Sequence, residues 1–302
     1  MTAIPLQPLT SRRAALAALS AHLLVALIAL VGIGGATRVM EAGLACPDWP
    51  LCYGSLLPGR QMNLQVFLEW FHRLDAFVVG VGLLVLTAVS WLWRRELPRA
   101  VPPLAAASVV LVAVQGGLGA LTVTLLLPFQ VVTAHLITAL LLVVLLSVCT
   151  QVLLEPSAAS TTPTTDRYWP VLTGLVLVLL LGQCLLGGLM ATQWAAGRCF
   201  SSGEACRWLL AHRLGARPAG LLVLFTAALA LWRRPGDRLL AGIAAVAVLA
   251  QIALGVFSLR LTLAVPAVTV AHQIGAALLV AVLAALFSRS LLQRSHPELR
   301  HG

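Results

Sequence analysis

Eight long apolar runs, each near the roughly 20 residues a bilayer core requires, constrain this chain more than any other feature. They fall at approximately 14–37, 65–93, 101–125, 129–153, 169–191, 207–232, 238–259 and 266–288. In hydrocarbon every backbone N–H and C=O must find an internal partner, so runs of this length must be helices. Composition agrees: 60% of the 302 residues are hydrophobic and only 10% are charged, with a mean hydropathy of +0.97. Such a balance excludes an ordinary soluble domain. The expected fold is an all-α membrane protein with eight transmembrane helices.

The 20 basic residues are all arginine, and they are unevenly shared between the two sides. Arg12, Arg13, Arg94, Arg95, Arg99, Arg167, Arg233, Arg234, Arg238, Arg289, Arg294 and Arg300 mark one side. Arg38, Arg60, Arg198, Arg207 and Arg260 mark the other, while Arg73, Arg213 and Arg217 fall within runs. The positive-inside bias then places both termini in the cytoplasm and the chain in the cell membrane. The net charge of +10 is accordingly read as loop orientation and not as a nucleic-acid surface. The first run is too long for a signal peptide and lacks a small-residue cleavage pattern, so it is read as a retained helix.

Motifs repeat across the two halves. Gly34-Gly35 precedes Cys46 as Gly187-Gly188 precedes Cys199, and Cys52 and Cys206 follow in turn. Leu118-Gly119 through Pro128 to Ala134-His135 returns as Leu254-Gly255 through Pro266 to Ala271-His272, with Gln115 and Gln251 four residues before the matching glycines. The reading is a duplication into two pseudo-symmetric four-helix bundles, residues 1–153 and 169–302. A cytoplasmic linker rich in Ser, Thr and Pro, residues 154–168, joins them. An even number of spans per half makes the repeat parallel.

Ionisable residues at membrane depth are costly and point to function. Glu69, His72, Arg73 and Asp75 open the second run, and His135, His212-Arg213 and His272 sit at similar places in the fourth, sixth and eighth. Each of the four histidines lies near 10 Å inside its run at 1.5 Å per residue, on the side opposite the termini. His72 with His135, and His212 with His272, can therefore face each other, as paired imidazoles do across an iron porphyrin. His22, His296 and His301 lack this placement. Glu69 shares a helix face with His72, whereas the matching position in the second half is Leu209. The acid suits either proton handling at a substrate or an ion pair with Arg73. Asp75 is read as the partner of an arginine. Cys46/Cys52 and Cys199/Cys206 fall in loops on the oxidising side, where each pair is a disulfide candidate, as a staple or as a redox-active couple. Cys149 and Cys184, inside spans, are read as packing residues.

These residues carry a resemblance. Gly34-Gly35-Ala36-Thr37-Arg38 leading to Gly43-Leu44, Asp48-Trp49-Pro50, Glu69-x-x-His72-Arg73, His135, His212-Arg213 and His272 are similar to the haem A synthase family. The likeness extends over nearly the whole chain. It implies oxidation of a ring methyl of haem O to the formyl of haem A, for cytochrome oxidase. It also implies haem b held by His212 and His272 in the second half. Haem O would lie between His72 and His135 in the first, with Glu69 beside the reacting methyl. Arg73 and Arg213 would meet propionates. The implied partners are haem O delivered by its synthase, an electron donor, membrane lipid and, as an open expectation, a second copy of the chain. Two rivals follow from the residues themselves: a di-haem cytochrome b that only transfers electrons, and a transporter, for which broken helices with polar midplane residues are missing.

Overall fold

In the computed structural model the described residues are 10–154, 168–192, 203–261 and 265–294. They form eight long helices: α1 Ser11–Val39, α2 Leu64–Leu92, α3 Val101–Thr124, α4 Phe129–Leu154, α5 Trp169–Thr192, α6 Gly203–Arg233, α7 Arg238–Arg260 and α8 Pro266–Arg294. All eight are long and apolar enough to cross a membrane. The bounds match the hydropathy runs to within a few residues at most ends. Among the described residues no strand forms beyond an isolated bridge between Cys52 and Ser55. The linker stretch 155–167 lies outside them.

Local sequence sets the helix starts. The Thr10 hydroxyl accepts the Arg13 amide at 3.4 Å, and the Asn63 side chain accepts the Val66 amide at 3.0 Å, each supplying a first-turn donor with a partner. Pro102 and Pro103 occupy the first turn of α3, and Pro266 opens α8, where a missing N–H costs nothing.

Packing follows chain order. Helices α1 to α4 close into one ring of neighbours and α5 to α8 into another, and the two rings meet where α4 and α1 contact α8 and α4 contacts α5. The main apolar core lies along this seam, with Leu142, Leu146, Leu153, Leu279 and Leu286 fully buried. A few hydroxyls bridge helices, one of them across the seam. Ser20 meets Thr150 at 2.8 Å, Ser147 donates to the Ala281 carbonyl at 2.7 Å, and Thr173 meets Ser290 at 3.1 Å. In lipid the hydrophobic effect does not hold helices together, and each such bond contributes only about 0.6 kcal/mol, so close packing carries the rest.

The helix ends away from the histidines are tied by arginines. Arg13 is buried and donates to the last carbonyls of α4, Leu153 at 2.8 Å and Val152 at 3.0 Å. Asp237, 1% exposed, accepts from Arg234 at 2.9 Å and from Arg289 at 2.7 Å, joining the α6–α7 turn to α8. His22 bonds only the Ala18 carbonyl. Cys149 is a buried free thiol and Cys184 a half-buried one.

Candidate functional site

Each of the four histidines sits within the first three turns of an even-numbered helix, at one end of the protein, with its ring against a glycine on the preceding helix. A Cβ on Gly34 would stand 3.0 Å from His72 Cε1, and one on Gly119 would stand 3.4 Å from His135 Cε1. Gly187 approaches His212 Cε1 at 2.9 Å and Gly255 approaches His272 Cε1 at 3.1 Å on the same measure. A methyl at Gly34, Gly187 or Gly255 crowds the imidazole and one at Gly119 just reaches van der Waals contact, so glycine here makes room for a ring between helices.

The expected pairing is present in the first half: the His72 and His135 rings lie 6.5 Å apart, centroid to centroid, at 76° to one another. Two metal–nitrogen bonds of about 2 Å, plus the distance from each nitrogen to its ring centre, span about this gap. In the second half His212 and His272 occupy the matching places on α6 and α8. The Nδ1 atoms of His72, His135 and His272 are buried with no hydrogen-bond partner. A buried imidazole nitrogen is rarely left unsatisfied, so three of the four rings have a nitrogen free for a further partner. Among the described residues no three His, Cys, Asp or Glu side chains gather as a metal-binding set. Two imidazoles are an incomplete shell for a bare ion but are the axial pair of an iron porphyrin. The residues present therefore fit a haem.

Glutamines support the histidines. Gln115 donates to the His135 carbonyl at 2.8 Å, Gln183 to the His212 carbonyl at 2.7 Å and Gln251 to the His272 carbonyl at 2.8 Å. Each stands four residues before the glycine that backs its histidine, a spacing that places both on one face of the helix. His212 Nδ1 also lies 3.0 Å from the Gln183 side-chain nitrogen and 3.2 Å from the Gln183 backbone carbonyl; in the tautomer that donates to the carbonyl, Nε2 is left for a ligand, a frequent arrangement for metal-bound imidazoles. In the first helix pair the corresponding residue is Leu30, and the His72 helix has no such bond. Gln183 is absent from the sequence reading, although its spacing to Gly187 repeats that of Gln115 and Gln251.

Glu69 and Arg73 are bound to the loop over the site. Glu69, 4% exposed, accepts the Cys46 amide at 2.8 Å through Oε2 and pairs with Arg73 through Oε1. Arg73 donates further to the carbonyls of Asp48 at 2.6 Å and Leu51 at 2.5 Å. Cys46 and Cys52 form a disulfide, S–S 2.01 Å, and pack with Val66 in a small buried cluster. Trp70 Nε1 donates to the Leu56 carbonyl at 2.6 Å. The Asp48 carboxylate accepts the Tyr53 amide at 2.7 Å and the Gly54 amide at 2.8 Å. Those two N–H groups, Gly54 foremost, hold the Asp48 carboxyl below the usual carboxylate range.

The loop thus forms a lid anchored on α2. Arg213 is exposed, and among the described residues it has no ionic partner, as expected where Leu209 replaces the acid. Asp75, half-buried one turn deeper than His72, likewise makes no ion pair, in contrast to the arginine pairing expected for it. Cys199 and the Cys206 side chain, the second disulfide candidate, lie outside the described residues.

Comparison with known proteins points the same way. A protein of Shewanella oneidensis named heme A synthase is 33% identical over 192 residues, covering 58% of this chain and 57% of that protein. The heme A synthase of Sphingopyxis alaskensis is 29% identical over 317 residues, with 87% and 88% covered. That of Rhodospirillum centenum is 28% identical over 348 residues, with 94% and 92% covered. The matched stretch thus spans little more than half of the first relative and nearly all of the other two. The sequence profile of the family described as cytochrome oxidase assembly protein, COX15-CtaA, matches residues 17–284. Eight spanning helices, four glycine-backed histidines and a match over most of the chain lead to one conclusion: this is a multi-pass membrane protein that belongs to the COX15-CtaA family.

Proposed function

We propose that the protein oxidises a ring methyl of haem O to a formyl group through two successive hydroxylations with O2 as oxidant, the gem-diol losing water, yielding haem A for cytochrome oxidase. The first four helices form the substrate half and the last four the cofactor half. The observation that carries this division is the acid: only the His72–His135 pair has a carboxylate, Glu69, on the same helix face, and in the second half Leu209 stands there.

His72 and His135 position haem O from its two faces, and Gly34 and Gly119 leave room for their rings. Glu69 takes and returns protons at the reacting methyl, held in place by the Cys46 amide and Arg73. The lid closed by Cys46–Cys52 keeps bulk water from the site. His212 and His272 hold a haem b, oriented by Gln183 and Gln251, and Arg213 is available to its propionates. When bound, haem b supplies one-electron redox chemistry, with the electrons drawn from a separate donor. The histidine end faces outward, both termini face the cytoplasm, and the membrane is the cell membrane.

Haem chromatography of Glu69→Gln tests this reading. The variant is expected to retain a haem b spectrum while accumulating haem O. Undiminished haem A would remove Glu69 from the chemistry. Haem B alone in the unaltered protein, purified from cells that make haem O, would favour a di-haem electron carrier instead.

A further inference from the structure

Arg38 is a cation directed into the bundle without a counter-charge. Among the described residues its guanidinium makes no hydrogen bond or ion pair. It lies on α1 one turn beyond Gly34, on the same face. The Gly34 position meets the His72 ring on α2, and a Cβ on Gly35 would stand 2.5 Å from Gln273 Oε1 on α8. With about 100° between successive residues, Arg38 leaves α1 between these two contacts. Val31, Gly35 and Thr37 around it are buried, and Arg38 is half-buried. Its side chain therefore departs toward the space between α2 and α8, just above His72, and not toward lipid.

The nearby candidates for its charge are otherwise disposed. Glu41, three residues on, is exposed on a left-handed backbone at φ 56° and forms no ion pair with it. Glu69 is taken by Arg73. Arg73 in turn is committed to Glu69 and the lid carbonyls, which leaves Arg38 as the cation near His72 with its donors unused. Holding a guanidinium at the edge of an apolar bundle without an anion is costly. Its planar fork suits a carboxylate through two parallel N–H···O bonds. Counting from the glycine pairs, the matching residue in the second half is Ala191, so this cation belongs to the first half alone.

We propose that Arg38 binds a propionate carboxylate of the tetrapyrrole seated between His72 and His135, and so sets the rotation of the ring and which methyl meets Glu69. The assignment rests on the reading of the first half as the substrate half.

The test is titration of the purified full-length protein, with its second-half haem in place, by ferric protoporphyrin IX and by its dimethyl ester, followed by absorbance. Arg38→Gln is expected to weaken binding of the free acid roughly ten- to a hundredfold and to leave the ester unchanged. Arg38→Lys should restore part of the loss. Wild-type affinity of Arg38→Gln for the free acid, with His72→Ala impaired, would overturn the role of Arg38 and leave the site intact. Equal weakening for acid and ester would make Arg38 a structural residue and also overturn the proposal. Full affinity of His72→Ala for both probes would overturn the placement of the substrate itself.

Discussion

The two halves place similar histidines on similar helix pairs, but their described polar clusters differ in place. In the first, the fixed polar cluster lies at the histidine end: Glu69, Arg73, the Cys46–Cys52 loop and its carbonyls form a lid. In the second, the cluster among the described residues lies at the far end, where Asp237 is buried between Arg234 and Arg289; Arg13 ties the first half at that end as well. The histidine supports differ as well. His135, His212 and His272 have a glutamine on their carbonyls, whereas His72 has none, and Leu30 stands at the matching position of its helix pair. A half clamped at both imidazoles suits a resident haem. A half with one unclamped imidazole under an organised lid suits a porphyrin that enters and leaves.

The largest effects are expected at the polar clusters. Asp237→Ala leaves Arg234 and Arg289 without their shared carboxylate in a site 1% exposed, and should cost about 3 kcal/mol. Thermal unfolding in detergent would show the loss, while the haem spectrum at the distant histidines stays as it was. Arg73→Leu should have the opposite profile. It frees the lid and strands the Glu69 carboxylate, so substrate turnover and protection of the Cys46–Cys52 disulfide from reductant fall together.

A smaller effect sharpens the contrast in clamping. Gln251→Leu removes one hydrogen bond to the His272 carbonyl, worth about 1 kcal/mol, and copies the natural state of the first helix pair. Faster loss of haem b to a competing apoprotein is the expected readout. An unchanged rate would mean that the glutamines do not separate a resident haem from a visiting one.

The smallest effect concerns pH. The folded Asp48 carboxyl is held below its unfolded value of about 3.9, so its contribution to the loop is fully present above that pH and lost as pH falls through the folded value. Hydrogen exchange at the Tyr53 and Gly54 amides should accelerate on acidification, and Asp48→Asn should flatten that dependence.

Much of this was legible before any coordinates. Hydropathy located every spanning helix, because a bilayer imposes one length and one composition on each. Counting residues from the starts of the even-numbered helices placed the four histidines alike, and the approach of His72 to His135 followed from the expected facing within the first half. What stayed hidden depends on azimuth and on irregular backbone. Arg73 sits one residue from His72, which suggested a cofactor contact; its acceptors are carbonyls of a loop whose path no periodicity describes. The glutamine bonds need the rotation of each helix against its neighbour, so Gln183 passed unnoticed beside two glutamines of the same spacing. Arg38 falls at the end of a span, as a loop arginine would; its inward direction follows from its azimuth on α1, between those of Gly34 and Gly35.

The central claim, one exchangeable haem between His72 and His135 and one resident haem between His212 and His272, is tested most directly by haem extraction and chromatography. The variants to compare are His72→Ala and His272→Ala, expressed in cells that make haem O. The account predicts that His272→Ala loses haem b, and that His72→Ala keeps haem b but yields no haem A. Loss of the same haem from both variants, or haem A from His72→Ala, would contradict it.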